Sequence, residues 1–392
     1  ATSKNEREAA ETDVMTMIAS SACTRSVVHG IATLTAILTV CLPGARLHAG
    51  DDAEPHAVIP VNAQIEGVLR VHPKNSRYFT DATGKTIYLA GHQWFNDLQH
   101  NAWNEPVTVD WHDYTMSMRR YGMNYLRNWI IWSVGHPNEG HPAPLMPFKR
   151  TGPGKALDGG PKFDLTQFDP EFFARLKEQI DGAQRDGIYV SIMLFEVYGF
   201  MGRGGSYPDS FWAGNVLHEP NNINGIEADQ NGDREGMEFF FTEDPQLLKI
   251  QRAYVTKIID TVNEFDNVFF EIANELESKA WQYDMIRFIQ NYERTKPKQH
   301  LVYMSPGGRN RRAKWSRMPR AALLDSPADV YAVTRWEKRY RGDPPVQPPG
   351  KPAFMDMDHV AALDNGGDND WNNSPETPWK LLTRGYHQCL FD

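Results

Sequence analysis

A glutamate stands directly after a largely apolar run of this chain, in a setting where a carboxyl group could exchange protons with a ligand. The run 268–273 is followed by Asn274 and Glu275. Short apolar runs are typical of buried strands, and a carboxyl group at the end of such a strand can act as a general acid or base. The plain alternative is that Glu275 only caps the helix that follows. The choice depends on the elements that carry this segment.

Two aspartates follow a second apolar run, at residues 353–355. Asp356 and Asp358 flank Met357, and His359 comes next. Side chains alternate between the two faces of a strand, so both carboxylates would lie on one face. Asp358 is closer to the end of the strand and is our first choice for a reactive group, with Asp356 second.

Short apolar runs alternate with amphipathic helices over residues 84–392, which predicts a parallel sheet built from βα units. The chain contains eight such runs, the number that a closed (β/α)8 TIM barrel needs. The glutamate follows the fourth predicted strand and the aspartates follow the seventh. Both therefore fall on the C-terminal rim, where barrel enzymes hold their active sites. The predicted strands are 86–90, 125–128, 188–194, 268–272, 301–304, 330–333, 353–355 and 388–391, and the predicted helices are 111–121, 170–186, 246–265 and 279–295.

Long loops follow the second and third predicted strands, at 131–168 and 196–245. Loops of this length on the C-terminal rim commonly shape a substrate cleft. The run 229–233 is similar in composition to a calcium loop, but Gly232 is misplaced and Phe240 occupies the position of the last acidic ligand. We expect a turn there, and the sequence predicts no metal and no cofactor.

The composition is that of a soluble globular protein, with 41% hydrophobic and 23% charged residues among 392. The formal charge of −9 argues against nucleic acid or an anionic membrane as a partner. Eleven tryptophans suit either a packed core or a cleft in which rings stack on sugars.

The N-terminal segment has the features of a secretory signal peptide. Arg25 precedes an apolar run, 27–42, and small Ala49 ends the pattern. We predict a leader over 1–49 with its signal peptide at 25–49, and a secreted or periplasmic protein that is not held in a membrane after cleavage. Residues 50–83 form an extension with a short β-rich lead-in, and 84–392 form the barrel. Because the chain ends just after the eighth strand, we expect the barrel to be truncated there.

The Asn-Glu pair after the fourth strand resembles the active-site pattern of glycoside hydrolase clan A, which contains the family-5-type cellulases and mannanases. The resemblance covers about residues 67–392. It implies that Glu275 is the acid/base and that Asn274 bonds the 2-hydroxyl of the sugar. The segment 122–127 resembles the second strand of the clan, which implies that Arg127 binds the nucleophile and keeps it ionised.

The seventh strand departs from the clan, which places a glutamate where this chain has Asp356 and Asp358. An aspartate is one methylene shorter, so a retaining enzyme needs a closer backbone, and a wider pair of carboxyl groups would give inversion. The Asp-x-Asp-His run, the segment 77–81 and the segment 379–385 resemble an uncharacterised bacterial subgroup of the clan. That similarity implies no substrate.

Each of the other side chains predicted on the rim could bind a sugar or could instead have a purely structural role. His92 and Glu196 follow the first and third strands and could bond a sugar, or could be satisfied within the protein. The tryptophans could be sugar platforms or core. The predicted substrate-binding set is Arg127, Asn274, His92, Trp94, Trp129, Trp132, Glu196, Trp336, His359 and Trp379.

The sequence thus favours a glycoside hydrolase that cleaves β-linked glycosides of a polysaccharide or oligosaccharide, by a mechanism expected to be retaining, with Glu275 as acid/base and Asp358 as nucleophile. The alternative from another class is a carbohydrate-binding barrel that has lost its nucleophile. An aldolase is disfavoured because none of the eight predicted strands contains the lysine that a Schiff base requires. The sugar, the linkage and the oligomeric state stay open.

Overall fold

The computed structural model describes the chain over residues 64–94, 97–99, 110–135, 145–202, 210–274, 276–305, 320–334, 351–357 and 377–391. The chain divides into two units, 1–56 and 57–392, and all of the described residues belong to the second. The predicted leader lies outside these ranges, so export stays a prediction.

Within the described ranges, eight parallel strands close into a barrel, as the sequence predicts. The first barrel strand is β3 and the last is β12, and these two pair with each other to close the ring. The strands in chain order are β1 Arg70–Val71, β2 Phe79–Thr80, β3 Ala90–Trp94, β4 Tyr125–Trp129, β5 Phe148–Lys155, β6 Pro161–Phe168, β7 Tyr189–Glu196, β8 Val268–Asn274, β9 Val302–Met304, β10 Val330–Thr334, β11 Ala353–Met357 and β12 His387–Phe391.

The helices begin where the sequence supplies caps. Asp169 accepts a hydrogen bond from the Glu171 backbone N–H, and Asp244 accepts one from that of Gln246, just before helices that start at proline. Each such cap stabilises a helix by about 1 kcal/mol. No helix in the described part of the chain is long and apolar enough to span a membrane. The helices are α1 Trp111–Arg120, α2 Pro170–Arg185, α3 Pro245–Val262, α4 Lys279–Glu293, α5 Arg320–Leu324 and α6 Thr377–Arg384.

The first barrel strand begins at Ala90, whereas the sequence analysis placed it at 86–90. Ile87 instead pairs with Phe79 in an antiparallel bridge of the lead-in. Gly91 explains the later start, because a Cβ there would lie 1.6 Å from the carbonyl oxygen of Tyr125. Only glycine allows the first and second strands to approach this closely.

The interior of the barrel is filled by large side chains near the N-terminal ends of its strands. They form one buried apolar cluster, separate from the larger core that packs between the barrel and its helices. The Tyr125 ring stacks on Phe269 and packs against Phe354, with centroids 5.8 and 4.8 Å apart. The floor of the barrel is therefore solid, as expected for this fold, and polar side chains are left to the C-terminal half.

The loop predicted at 131–168 contains a β-hairpin that the sequence analysis missed. Strands β5 and β6 pair antiparallel with register shifts. The turn between them contains Asp158, whose carboxylate bonds the Arg150 guanidinium of β5. The signal was present, since an Asp-Gly-Gly turn between two extended runs is typical of a hairpin.

Candidate active site

A buried ion pair lies inside the barrel above its aromatic floor. Arg127 of β4 donates from Nε to Glu271 Oε2 at 2.7 Å and from Nη2 to Glu271 Oε1 at 2.5 Å. The side chains are 1% and 0% exposed. Two parallel bonds of this kind hold the guanidinium in one plane and one position.

The pair continues to the end of the fourth barrel strand. Arg127 Nη2 also donates to Asn274 Oδ1 at 2.8 Å. On the other side, the Ser305 hydroxyl lies 2.5 Å from Glu271 Oε1 and 3.1 Å from the carbonyl oxygen of Ala273. The single hydroxyl proton therefore has the carboxylate as its nearer acceptor. Among the described contacts, Glu271 thus accepts three hydrogen bonds from Arg127 and Ser305, which compensates a carboxylate removed from water.

This network fixes the orientation of the Asn274 amide. A guanidinium has only donors, so the atom that faces it must be the amide oxygen. The nitrogen Nδ2 is directed away from Arg127 and has no hydrogen-bond partner among the residues that the structure describes. The Asn274 side chain keeps a small exposed fraction, 6%. Asn274 therefore presents a donor at the barrel mouth.

The predicted carboxylate pair lies outside the described residues. Strand β8 ends at Asn274, so Glu275 follows the fourth barrel strand as the sequence predicts. Strand β11 includes the backbone of Asp356, paired with Cys389 of β12, but its side chain is not described. Asp358, His359 and Trp336 lie beyond the described ranges as well. The roles of these residues, and a bond from Arg127 to a seventh-strand aspartate, stay predictions.

His92 is placed on the helix side of the barrel. It is in register with Leu126, which belongs to the core between barrel and helices. Its Nδ1 lies 2.9 Å from the Tyr114 hydroxyl of α1. This arrangement is that of a structural histidine, so the expected sugar contact is not supported. Only the backbone of Trp94 is described, and its role stays a prediction.

Two of the predicted sugar platforms are buried. Trp132 is fully enclosed and meets the rings of Tyr254 and Phe148 nearly at right angles, at 4.7 and 5.1 Å. Trp129 is 4% exposed, and the Arg127 guanidinium lies over its ring at 5.3 Å. A sugar stacks only on a ring face that it can reach, and neither ring offers one in this structure, so the role of Trp132 and Trp129 as sugar platforms stays a prediction.

Trp379 differs from Trp129 and Trp132 because its ring is accessible. It is 68% exposed, and it lies in the first turn of α6, just before the last barrel strand. Helices of a (β/α)8 barrel start on the side where the strands end. Trp379 therefore lies on the rim side and keeps an accessible ring, as a sugar platform requires.

Glu196 ends the third barrel strand and is buried. Its Oε1 accepts from the Tyr198 backbone N–H at 2.9 Å, which caps the short helix Val197–Phe200. Glu196 is in register with Asn274 on the neighbouring strand, so the two lie at the same level of the rim. The capping role is established by this contact, while sugar binding stays a prediction.

Glu271 and Ser305 are the site residues that the sequence analysis missed. Glu271 was passed over as part of an apolar run, although a charge inside a buried strand signals a partner. Ser305 carries no local signal, because it follows β9 as an ordinary polar residue. Their connection appears only when the strands close into a barrel.

A group of carboxylates in the loop after β7 comes close enough to share a cation. The atoms of Asp229, Asp233 and Glu238 that could act as ligands lie within 4.8 Å of one another. Residues 229–233 form the predicted turn, in which Asp229 accepts from backbone N–H groups. Burial raises the pKa of Glu238, with smaller contributions from Asp233 and Asp229. In the spacing of a calcium loop the last acid falls at position 240, so Glu238 was not predicted.

The closed barrel and its polar rim define a (β/α)8 protein of the architecture that glycoside hydrolases use. A family model described as a domain of unknown function, DUF6298, matches residues 140–339, and the chain belongs to this family. A comparison with curated proteins finds no match.

Solved structures of glycoside hydrolases are similar to this chain. A candidate glycoside hydrolase from Bacteroides vulgatus is 16% identical, with 85% of this chain and 56% of that chain covered and a TM-score of 0.51. An endo-1,4-β-mannanase from Rhizomucor miehei is 13% identical over 83% and 90% of the chains, with a TM-score of 0.49. A β-mannanase from the blue mussel Mytilus edulis is 12% identical over 84% and 91%, at 0.47. The predicted resemblance is confirmed at the level of the fold, and the chain spans 56% of the Bacteroides protein.

Proposed function

We propose that this chain is a glycoside hydrolase that cleaves β-linked glycosides of a polysaccharide or oligosaccharide, with Glu275 as its acid/base. One observation carries the proposal: the contact of Arg127 with Asn274 leaves the amide N–H2 group open at the end of the fourth barrel strand, one residue before Glu275. An asparagine in this position can bond the 2-hydroxyl of a sugar, a contact that tightens in the oxocarbenium-like transition state.

The proposed mechanism needs two carboxyl groups. Glu275 protonates the leaving oxygen, Asp358 attacks the anomeric carbon, and Glu275 then removes a proton from the water that releases the sugar. A separation of about 5–5.5 Å between the carboxyl groups supports this retaining course, and about 6.5–9.5 Å supports direct attack by water with inversion. Asp356 is the second candidate for the nucleophile.

The substrate contacts of the proposal come from the rim. Asn274 supplies a donor, Trp379 supplies an accessible ring, and the loops after β4 and β7 bound the cleft. We also propose that the protein is exported by the segment 25–49, since a polysaccharide substrate lies outside the cell. The proposal requires no metal or cofactor.

A carbohydrate-binding barrel without catalysis is the second candidate. The aspartates at the seventh strand, where the clan has a glutamate, favour it. The compensated Arg127–Glu271–Asn274 network counts against it, because mere binding does not need a buried charge beside the fourth strand.

The test is a comparison of the wild type with Glu275→Gln on polysaccharides and aryl β-glycosides. Glutamine has nearly the same shape but cannot donate the proton, so we expect turnover of unactivated substrates to fall by about 10²–10⁴-fold. Substrates with good leaving groups should lose least in the first step. Glu264→Gln, an exposed glutamate on the outside of the barrel, is the control. Wild-type hydrolysis by a folded Glu275→Gln would refute the assignment.

A further inference from the structure

Glu271 is a buried acid that the proposed mechanism does not use. It lies inside the barrel and is 0% exposed, one residue layer above the aromatic floor formed around Phe269. Its neighbour at the same level on β7 is Met193. An apolar side chain therefore fits this layer of the barrel.

Stability alone is a poor reason for a charge in this position. Removing a carboxylate and a guanidinium from water is costly, and apolar replacements of buried ion pairs are often neutral or stabilising. Buried ionic groups can instead select one arrangement among several. The role of Glu271 therefore depends on which atoms it holds in place.

Glu271 fixes the guanidinium that orients Asn274. Arg127 bonds Glu271 through Nε and Nη2, so its plane cannot rotate without breaking both bonds. The same Nη2 donates to Asn274 Oδ1. The direction of that bond, and hence the side to which the amide N–H2 group points, is set by the carboxylate.

Ser305 fixes the carboxylate in turn. Its hydroxyl lies 2.5 Å from Glu271 Oε1, the same oxygen that Arg127 Nη2 contacts. Ser305 is 1% exposed and follows β9, so this contact joins the fifth barrel strand to the fourth. A chain of contacts thus runs from Ser305 through Glu271 and Arg127 to the amide at the mouth.

We propose that Glu271, held by Ser305, is a positioning residue that sets the Asn274 amide with its N–H2 group toward the 2-hydroxyl of the sugar. This inference rests on the proposed function. Without the carboxylate, the guanidinium can turn and the amide can flip, which would place its oxygen at the mouth. An amide oxygen can only accept, so the hydrogen bond that the amide N–H donates to the 2-hydroxyl, and that tightens in the transition state, would be lost for part of the population.

The experiment measures how strongly catalysis depends on the 2-hydroxyl. For each variant, kcat/KM is determined for the aryl β-glycoside that the wild type cleaves best and for its 2-deoxy analogue, both corrected for spontaneous hydrolysis. The readout is the ratio of the two values. A general loss of stability or of acid/base function lowers both rates and leaves the ratio unchanged.

The variants are Glu271→Gln and Ser305→Ala, with Glu293→Gln as the matched control. Glu293 is also a fully buried glutamate with hydrogen-bond partners, His300 and Asn263, but it lies on α4 away from the rim. We expect the ratio to fall about tenfold in Glu271→Gln and about threefold in Ser305→Ala, the sizes expected for losing one oriented hydrogen bond or loosening it. The control should keep the wild-type ratio.

Every result of this experiment either supports or overturns the proposed role of Glu271. An unchanged ratio in both folded variants overturns the inference while leaving the glycosidase proposal intact. If Glu271→Gln does not fold, Ser305→Ala, which changes no charge, decides by the same ratio. A wild type that hydrolyses neither substrate on any sugar overturns the proposed function, and the inference with it.

Discussion

Arg127 and Glu271 stabilise the protein as a pair, because each removes the penalty of burying the other. Both side chains are almost completely enclosed, and two hydrogen bonds join them. Removing one partner leaves a charge in a low-dielectric interior, whereas removing both leaves a space that apolar side chains can fill. The energetics of this site are therefore strongly non-additive.

A double-mutant cycle tests this non-additivity through the free energy of unfolding. Glu271→Leu and Arg127→Met should each lower the free energy of unfolding by about 3–5 kcal/mol, because each removes the oppositely charged partner of a buried charge. The double variant should lose clearly less than the sum, within about 2 kcal/mol of the wild type. Urea unfolding measures all four proteins. Losses that simply add would show that the two charges do not depend on each other.

Single substitutions also decide whether Asp358 or Asp356 is the nucleophile. Strand alternation predicts that Asp358 lies one pleat further toward the substrate side than Asp356. We expect Asp358→Ala to abolish hydrolysis and azide to restore part of it, with a glycosyl azide as product, because the small anion enters the vacated space. Asp356→Ala should lose stability and some activity without azide rescue.

The reverse pattern of rescue would exchange the two roles. Rescue of neither, together with inverted product by NMR, would assign a general base in place of a nucleophile.

Contacts between elements explain how the lead-in is tied to the barrel. His387 at the start of β12 accepts from the Leu89 backbone N–H with Nδ1, and its Nε2 lies 2.9 Å from the carbonyl oxygen of Arg77. Since Nδ1 accepts, Nε2 carries the proton and the ring is neutral. The histidine thus links the segment before the barrel to its last strand.

This link predicts a pH dependence of stability. Burial lowers the pKa of His387 from 6.5 to about 3, so the native protein binds this proton less readily than the unfolded chain. Stability from this group is complete above about pH 6.5 and falls by up to about 1.4 kcal/mol per pH unit as the pH drops toward 3. Urea unfolding at several pH values measures the slope.

The variant His387→Gln isolates this contribution. It should be less stable than the wild type at pH 7 and should lose less stability between pH 6.5 and pH 4. Equal slopes in the two proteins would show that the histidine does not titrate on unfolding.

The second unit of the chain contains a closed barrel with polar side chains at its mouth, and binding at that mouth can be separated from catalysis. An oligosaccharide that binds only the native state stabilises it, by about 2.7 kcal/mol at a hundred times its Kd. We expect the Glu275→Gln variant to gain Tm with oligosaccharides of the sugar that the wild type cleaves. The gain should disappear with oligosaccharides that the wild type leaves intact.

The same measurement separates the two candidate functions. A wild type that is stabilised by an oligosaccharide but never hydrolyses it would be the carbohydrate-binding barrel. Stabilisation together with cleavage supports the glycoside hydrolase.

Local patterns of the sequence were sufficient for the course of the barrel. Each apolar run is long enough to form one buried strand, and helices α1, α2 and α3 each carry a capping aspartate at their start, such as Asp169 with Pro170. The placement of Asn274 at the end of the fourth strand follows from counting these runs. The predicted first strand began too early. The role of Gly91, which permits the close contact with Tyr125, becomes visible only when the neighbouring strand is in place.

Tertiary structure decided which side chains meet. Arg127 and Glu271 are 144 residues apart, and only barrel closure and strand register bring them together. Trp132 follows the second barrel strand and was expected on the rim. Phe148 and Tyr254 enclose it once the loops pack. Alternation and propensity act over a few residues along the chain, so the sequence by itself determined the eight barrel strands and their order, apart from the bounds of the first. Burial and pairing depend on elements far apart in the chain, so the fold alone determined the network that orients Asn274.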